Sequence, residues 1–327
     1  MNYVSQSPSV AIRCLVYNHE KYLRDCLDGI VMQKTNFPFF AIVHDDHSND
    51  SSSDIIREYQ RIFPDIIHPI FEEKNFYSTD WHSADAKIHK AYGEAKYIAV
   101  CEGDDYWTDP LKLQKQVDFL EAHPDYAVCA HETRIKDERN NQKSVLFSLT
   151  ACKNSIIPSP RTDYTFEDTL KGNIFHLSSI LFRQKDLIEF PSWRYRISAG
   201  DMVLFRYLGS CGKTHWLPET MSVYRFHSGN LTSKGAEYQS LVPFYKLNIL
   251  VLRLLNRFWN RKYQVVIYPI ISRYYVECTM QYLRKSQRNW SKSKEMAFLA
   301  WCYDKGTALR FIAKGLASKV FSRICKN

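Results

Sequence analysis

Between Ser9 and Glu132, five short apolar runs are separated by four segments whose apolar residues recur every three to four positions. The runs are SVAIRCLVY (9–17), FFAIVHDD (39–46), DIIHPIF (65–71), AKYIAVC (95–101) and YAVCAHE (126–132). They have the length and apolar content of buried strands. The first intervening segment, HEKYLRDCLDGIVMQ, sets Tyr22, Leu23, Cys26, Leu27, Ile30 and Val31 on one helical stripe. The second, SSSDIIREYQRIF, has Ser51 and Asp54 in capping-box spacing and buries Ile55, Ile56, Tyr59 and Ile62 on one face. Residues 83–94 read as a third helix. In the fourth, Asp109 caps a helix that has Pro110 at its first position and Leu113, Val117 and Leu120 inside. Alternation of this kind predicts parallel strands with helices on both faces of the sheet, an α/β fold.

The chain has 327 residues, enough for one large domain or two smaller ones. Its nine cysteines show no CxxC or Cys/His metal spacing, and Cys14, Cys101 and Cys129 fall inside the apolar runs. They read as reduced core cysteines of a reducing compartment. The first residues show no signal-peptide pattern, and no apolar run approaches the roughly 20 residues of a spanning helix. The expected location is cytoplasmic, with a peripheral place on the inner face of the cell membrane as an option. The net charge of +9 is unevenly divided. Residues 238–327 hold 17 Lys and Arg against 3 Asp and Glu, a balance of +14, which leaves residues 1–237 at −5. An acidic body therefore carries a basic C-terminal region.

Acids collect where two of the strands end. Asp45 and Asp46 close the second, and VCEGDDYWTDP (100–110) sets Glu102, Asp104 and Asp105 directly after the fourth. Ionised carboxylates this close repel one another, so a cation or solvent must face them. Ligands of such sheets bind beyond the carboxyl ends of the strands. No GxGxxG follows the first strand and no GxxxxGK[ST] occurs, which speaks against a dinucleotide site and a P-loop. A carboxylate-held divalent ion that also takes phosphate oxygens suits the pattern.

CLVYNHEKYLRDCLDGI, VHDDHSND, EGDDYWTDP and YRFHSG, in this order, resemble a family 2 glycosyltransferase over about Ser9–Asn230. The resemblance implies a GT-A fold, a Rossmann-like mixed sheet with helices on both faces. It implies a catalytic domain over 1–237, with a donor half at about 1–131 and an acceptor half at about 132–237. It also implies a nucleotide diphosphate-sugar donor, a UDP-sugar foremost, and Mn²⁺ or Mg²⁺ as cofactor. By the same resemblance Tyr17 packs on the donor base, Asp45 bonds the base or ribose, and Asn75 lies in a donor-site loop. Asp104 and Asp105 match the metal and sugar-nucleotide motif, with Asp105 preferred as primary ligand, and Glu102 stands where a first Asp is common. Leu15 and Val16 replace a common Pro and Thr. His227 completes the metal site or meets the diphosphate, with Arg225 as a charge neutraliser. Asp201, ahead of the buried helical face of Leu204, Phe205 and Leu208, matches the general base, and direct displacement by it inverts the sugar.

Each residue has a plainer alternative. Tyr17 could be core packing, Asp45 and Asp46 an Asx turn, Asn75 a polar turn, and the acids at 102–105 a solvated loop. Asp201 could be a first-turn acid and His227 an ordinary histidine. The basic, aromatic-rich region 238–327 reads as helical. It either packs as a subdomain or docks on an anionic membrane surface that presents a sugar or lipid-linked acceptor, and nucleic acid is the least favoured partner. The expected activity is inverting, metal-dependent transfer in bacterial surface polysaccharide or glycolipid synthesis. A nucleotidyltransferase and a degenerate binding module are the alternatives. The first would need a Gly-rich basic loop after strand one, and the second leaves intact acids unexplained.

Overall fold

The computed structural model of the protein describes residues 10–139, 144–154, 160–172, 175–197, 200–228, 241–283 and 289–310. Two compact units divide the chain, Met1–Ser228 and Gly229–Asn327. The sequence-based boundary at 237/238 lies outside the described residues, as do 284–288 and 311–327 of the basic region.

In the first unit β1 (Val10–Val16), β2 (Phe39–Asp45), β3 (Ile67–Phe71) and β4 (Tyr97–Val100) alternate with α1 (Leu23–Val31), α2 (Ser52–Ile62) and α3 (Trp81–Ala91). β5 (Tyr106–Trp107), α4 (Lys112–Ala122) and β6 (Tyr126–Asp137) follow. The second half adds β7 (Val145–Leu146), α5 (Phe147–Asn154), β8 (Asp163–Tyr164), α6 (Phe166–Lys171), β9 (Leu181–Arg183), α7 (Gly200–Cys211) and β10 (Lys213–Phe226). One mixed sheet runs β3-β2-β1-β4-β9-β6-β10-β5, with β7 beside β6 and β8 beside β10. β3-β2-β1-β4 pair in parallel, as the alternation predicts, whereas the fifth run, β6, lies outside this block. Three-residue β9 then inserts antiparallel between β4 and β6, which makes the sheet mixed. LFR is too short to carry a period, so the sequence pattern did not reveal it.

Strand side chains alternate between two cores. Val10, Ile12, Cys14 and Val16 of β1 join Tyr97 and Ala99 of β4 under α1, α2 and α4. Ala11 of β1 and Ile98 and Val100 of β4 join α3 and α7 through Ile88, Leu204, Phe205 and Leu208 on the opposite face. This is the period of two that a strand buried on both faces imposes. Cys14, Cys101 and Cys129 are buried thiols, and the cysteines of the described residues are free. The capping box expected at Ser51 does not form. Ser51 makes no side-chain cap bond, and Asp50 accepts the Ser52 amide instead at 2.9 Å. In the fourth helix Asp109 accepts the Leu111 amide at 2.7 Å, the bond of an N-cap, and its carbonyl takes the Lys112 amide at 3.2 Å, so a tighter turn through Pro110 precedes the α-helix that runs from Lys112.

One close approach fixes the acidic turn. A Cβ on Gly29 of α1 would stand 2.8 Å from both the backbone N and O of Trp107 in β5. Only glycine lets α1 lie against that strand. Trp107 is 2 % exposed and donates its indole N–H to Ser178 O at 2.9 Å. Gly29→Ala must therefore push two backbones apart, an overpacking that typically costs about 1–3 kcal/mol. Denaturant unfolding should show that loss, and an unchanged midpoint would contradict the packing described.

The second unit contains α8 (Val242–Phe258), α9 (Gln264–Tyr282) and α10 (Trp290–Tyr303), in agreement with the helical reading of the basic region. Ser272 in α9 donates to the Ala300 carbonyl of α10 at 2.9 Å and ties the two helices together. Among the described residues no helix is long and apolar enough to cross a membrane.

Candidate active site

The ends of β1, β2 and β4 bring the acids together, as the sheet rule requires. The turn after β4 folds back on β1, with the Cys101 amide bonded to Arg13 O and the Gly103 amide to Leu15 O. A Cβ on Gly103 would lie 2.8 Å from His19 Nδ1, so a glycine here lets the acidic turn meet the loop after β1.

Each acid then meets a different partner. Glu102 lies 3.6 Å from the Arg13 guanidinium, a cation rather than solvent, yet burial still pushes its carboxyl up to about 7. Asp104 Oδ2 stands 3.2 Å from His227 Nε2 and 3.9 Å from His19 Nε2. Burial opposes ionisation of Asp104, but the hydrogen bond with His227 and the two imidazoles hold its carboxyl below the usual range. His19 is itself held below the ordinary histidine value by burial, which favours the neutral ring that ligates metals. Asp105 is 1 % exposed and accepts the Arg225 backbone N–H at 3.0 Å. Burial and the neighbouring Asp104 charge drive its carboxyl well up. Its other oxygen faces His176 at 3.7 Å, and burial lowers that imidazole to about 4.

Among the described residues no three His, Cys, Asp or Glu side chains close tightly enough to hold a metal ion unaided. One carboxylate between two imidazoles fits an ion that draws its remaining ligands from a diphosphate. Asp104, not Asp105, offers that arrangement. Asp105 is turned into the strand β10 backbone, so the sequence-based preference for it finds no geometric support.

Other predicted residues are placed as follows. Tyr17 is 44 % exposed at the end of β1, free to stack on a flat ligand rather than packed in the core. Asp45 is buried, with its oxygens taken by the Ser48 amide at 3.1 Å, the Ser48 hydroxyl at 2.5 Å and the Ser53 hydroxyl. Asp46 accepts the amides of Phe76 and Tyr77 at 2.7 and 2.8 Å and so clamps the loop after β3. Asn75 in that loop spends its carbonyl oxygen on the Ser78 amide and hydroxyl, at 3.0 and 2.7 Å, a local polar turn. Arg225 is buried rather than free to meet a diphosphate. It bonds Asp25 and the Asp104 carbonyl and lies 3.6 Å from Glu138. Asp201, in the first turn of α7, is open to solvent yet crowded by protein, and the crowding raises its carboxyl above the ordinary value. It is near enough for its charge to act on both Glu102 and Tyr77. The sequence reading missed His19, Arg13 and His176. Each is a lone residue with no spacing signal, and His19 would have emerged only from the fold-back at Gly103.

A family model described as glycosyl transferase family 2 matches residues 14–190. The chain belongs to this family. An uncharacterized protein of Mycobacterium tuberculosis is 36% identical over 223 residues, 67% of this chain and 59% of that protein. The match thus spans less than two thirds of that relative's length. Bacillus subtilis TuaG, named as a candidate teichuronic acid biosynthesis glycosyltransferase, is 24% identical over 77% of this chain and 92% of its own. Among solved structures, S. aureus TarS 1–349 in complex with UDP-GlcNAc superposes with a TM-score of 0.60 at 16% identity, covering 93% of this chain and 83% of that one. Mannosyltransferase PcManGT of Pyrobaculum calidifontis, in complex with GDP-Man and Mn²⁺, gives 0.53 at 13% identity, over 90% and 86%. At these identities the likeness concerns the fold, and the family 2 chain has the GT-A architecture. Asp201 and His227 lie beyond the matched residues 14–190, so the match itself assigns neither a role.

Proposed function

We propose that this glycosyltransferase moves a sugar from a nucleotide diphosphate donor, a UDP-sugar foremost, to an acceptor hydroxyl with inversion, in the synthesis of a surface polysaccharide or glycolipid. The observation that carries the reading is Asp104 between His19 and His227 at the strand ends, with Asp201 within electrostatic reach of the same turn. The names of TuaG and of the TarS complex support the polymer and the donor class. Bound Mn²⁺ or Mg²⁺ would supply positive charge to the two phosphates, held by Asp104 with His227 and His19.

The chain's own residues carry the rest. Exposed Tyr17 offers a face for the base. The Asp46 clamp on the loop after β3 fixes Tyr77 close to Asp201. As the acceptor oxygen bonds to the anomeric carbon, the bond from that carbon to the diphosphate breaks. The hydroxyl proton passes to the Asp201 carboxylate, and the nucleoside diphosphate leaves. Crowding around Asp201 makes it a better proton acceptor than an ordinary aspartate, provided the pH stays above its raised value. Attack from the face opposite the leaving group inverts the centre. The acceptor is a sugar or lipid-linked sugar, and the basic second unit suits docking on an anionic membrane surface.

Calorimetry checks the donor site. Uridine diphosphate is expected to bind more tightly with Mn²⁺ than with chelator, because the diphosphate completes a coordination shell that the protein leaves open. Equal affinity under both conditions would refute this part of the reading.

A further inference from the structure

A cavity of about 180 Å³ opens in the second unit, between α8, α9 and α10, and none of the residues of the candidate active site lines it. Three arginines line it. Arg253 and Arg257 are one turn apart on α8 and share a face. Arg261 follows the helix end, where Asn260 and Arg261 adopt positive φ of 50 and 61°. The Arg261 amide returns to Asn256 O at 2.7 Å, a closure that brings the third guanidinium to the same cavity. Tyr268 and Tyr303 form the other wall, edge-on to each other at 5.3 Å.

Two features of this cavity bear on a ligand. Guanidinium ion pairs of the described residues run through Arg13, Arg24, Arg139, Arg161, Arg194 and Arg225, and none through these three, although Arg253 also makes a hydrogen bond with Tyr275. Three permanent charges thus converge without a carboxylate among the described residues. The second feature is Asn256, which lines the cavity at 5 % exposure with its Oδ1 buried and unpartnered. A buried acceptor without a donor is costly unless a ligand supplies one. The three guanidinium groups suit an anion with several oxygens, and Asn256 Oδ1 can accept from a donor such as a hydroxyl.

We propose that this cavity binds a hydroxyl-bearing phosphate ester, such as a glycerol or sugar phosphate, with the phosphate on the arginines and the hydroxyl on Asn256. Arginine forks match phosphate oxygens in geometry and remain charged at any working pH. The ester can be a phospholipid headgroup or a soluble or polymer-borne phosphate. The site is independent of the transferase reading, and its test uses binding rather than turnover.

The full chain is titrated with sn-glycerol 3-phosphate and with inorganic phosphate, and sedimented with vesicles of phosphatidylglycerol in phosphatidylcholine. Glycerol phosphate is expected to bind more tightly than inorganic phosphate. The double variant Arg257→Gln/Arg261→Gln alters two exposed side chains and spares Arg253, which bonds Tyr275; it should melt as the native chain does and lose at least about tenfold in affinity. Asn256→Leu should erase the preference for the ester over phosphate. Vesicle binding that glycerol phosphate competes away and the double variant loses assigns the ligand to a lipid headgroup. Ester binding without vesicle binding assigns it to a soluble or polymer-borne phosphate. No ester binding to the native chain, or binding of ester or vesicles that the double variant retains, overturns the proposal.

Discussion

Asp201→Asn is expected to lower turnover by roughly 100- to 10,000-fold, the usual contribution of a positioned base. The variant keeps the shape of the side chain and can still accept the Met202 amide, bonded at 2.7 Å in the native chain, so α7 should start normally. It has no group that can take the acceptor proton. Uridine diphosphate affinity should hardly change, since the role proposed for Asp201 lies at the acceptor side of the reaction. The native enzyme should lose activity on acidification with a midpoint above the ordinary aspartate value of about 3.9, because crowding raises this carboxyl. Only an ionised carboxylate can accept the proton, so a base at Asp201 leaves activity present above the raised value and lost below it. Near-native turnover of the Asn variant with a true acceptor would assign the proton to another group.

The second large effect separates two adjacent acids. Asp104→Asn should abolish the gain in uridine diphosphate binding that Mn²⁺ provides, with a loss of at least about 10- to 100-fold in affinity measured with metal present, the range already seen when a ligand's outer partner is removed. Asp105→Asn should leave that gain intact. Its carboxyl is buried against the Arg225 amide and held well above the usual carboxylate range, so a neutral side chain there resembles what the fold already favours. Its cost should appear in unfolding rather than in metal dependence. If Asp105→Asn instead removes the Mn²⁺ effect and Asp104→Asn keeps it, the assignment drawn from the His19–Asp104–His227 arrangement is wrong.

Much of the first unit was legible because its strands and helices are long enough to display a period. The stripe of Leu23, Cys26, Leu27 and Ile30 and the buried run of β1 allow few alternatives once they alternate along the chain. The clustering of Asp45, Asp46, Glu102, Asp104 and Asp105 also followed from sequence, since parallel strands deliver their carboxyl ends to one edge. The helical start at Asp201 and the buried face behind it were readable for the same reason, in the spacing of Leu204, Phe205 and Leu208.

Other facts depend on contacts between segments far apart in the chain, which no local pattern records. β9 joins the sheet because its three residues find β4 and β6, not because they have a strand signature of their own. Asp104 and Asp105 are neighbours of one chemistry, and only the fold-back onto β1 and the register of β10 give one to two imidazoles and the other to a backbone amide. The sequence determined by itself that acids would meet at the carboxyl edge of an α/β sheet, because strand period and chain direction are local properties. Which acid faces which partner was decided by tertiary structure alone, because a carboxylate's role is set by burial and by the charges that distant segments bring within a few ångströms.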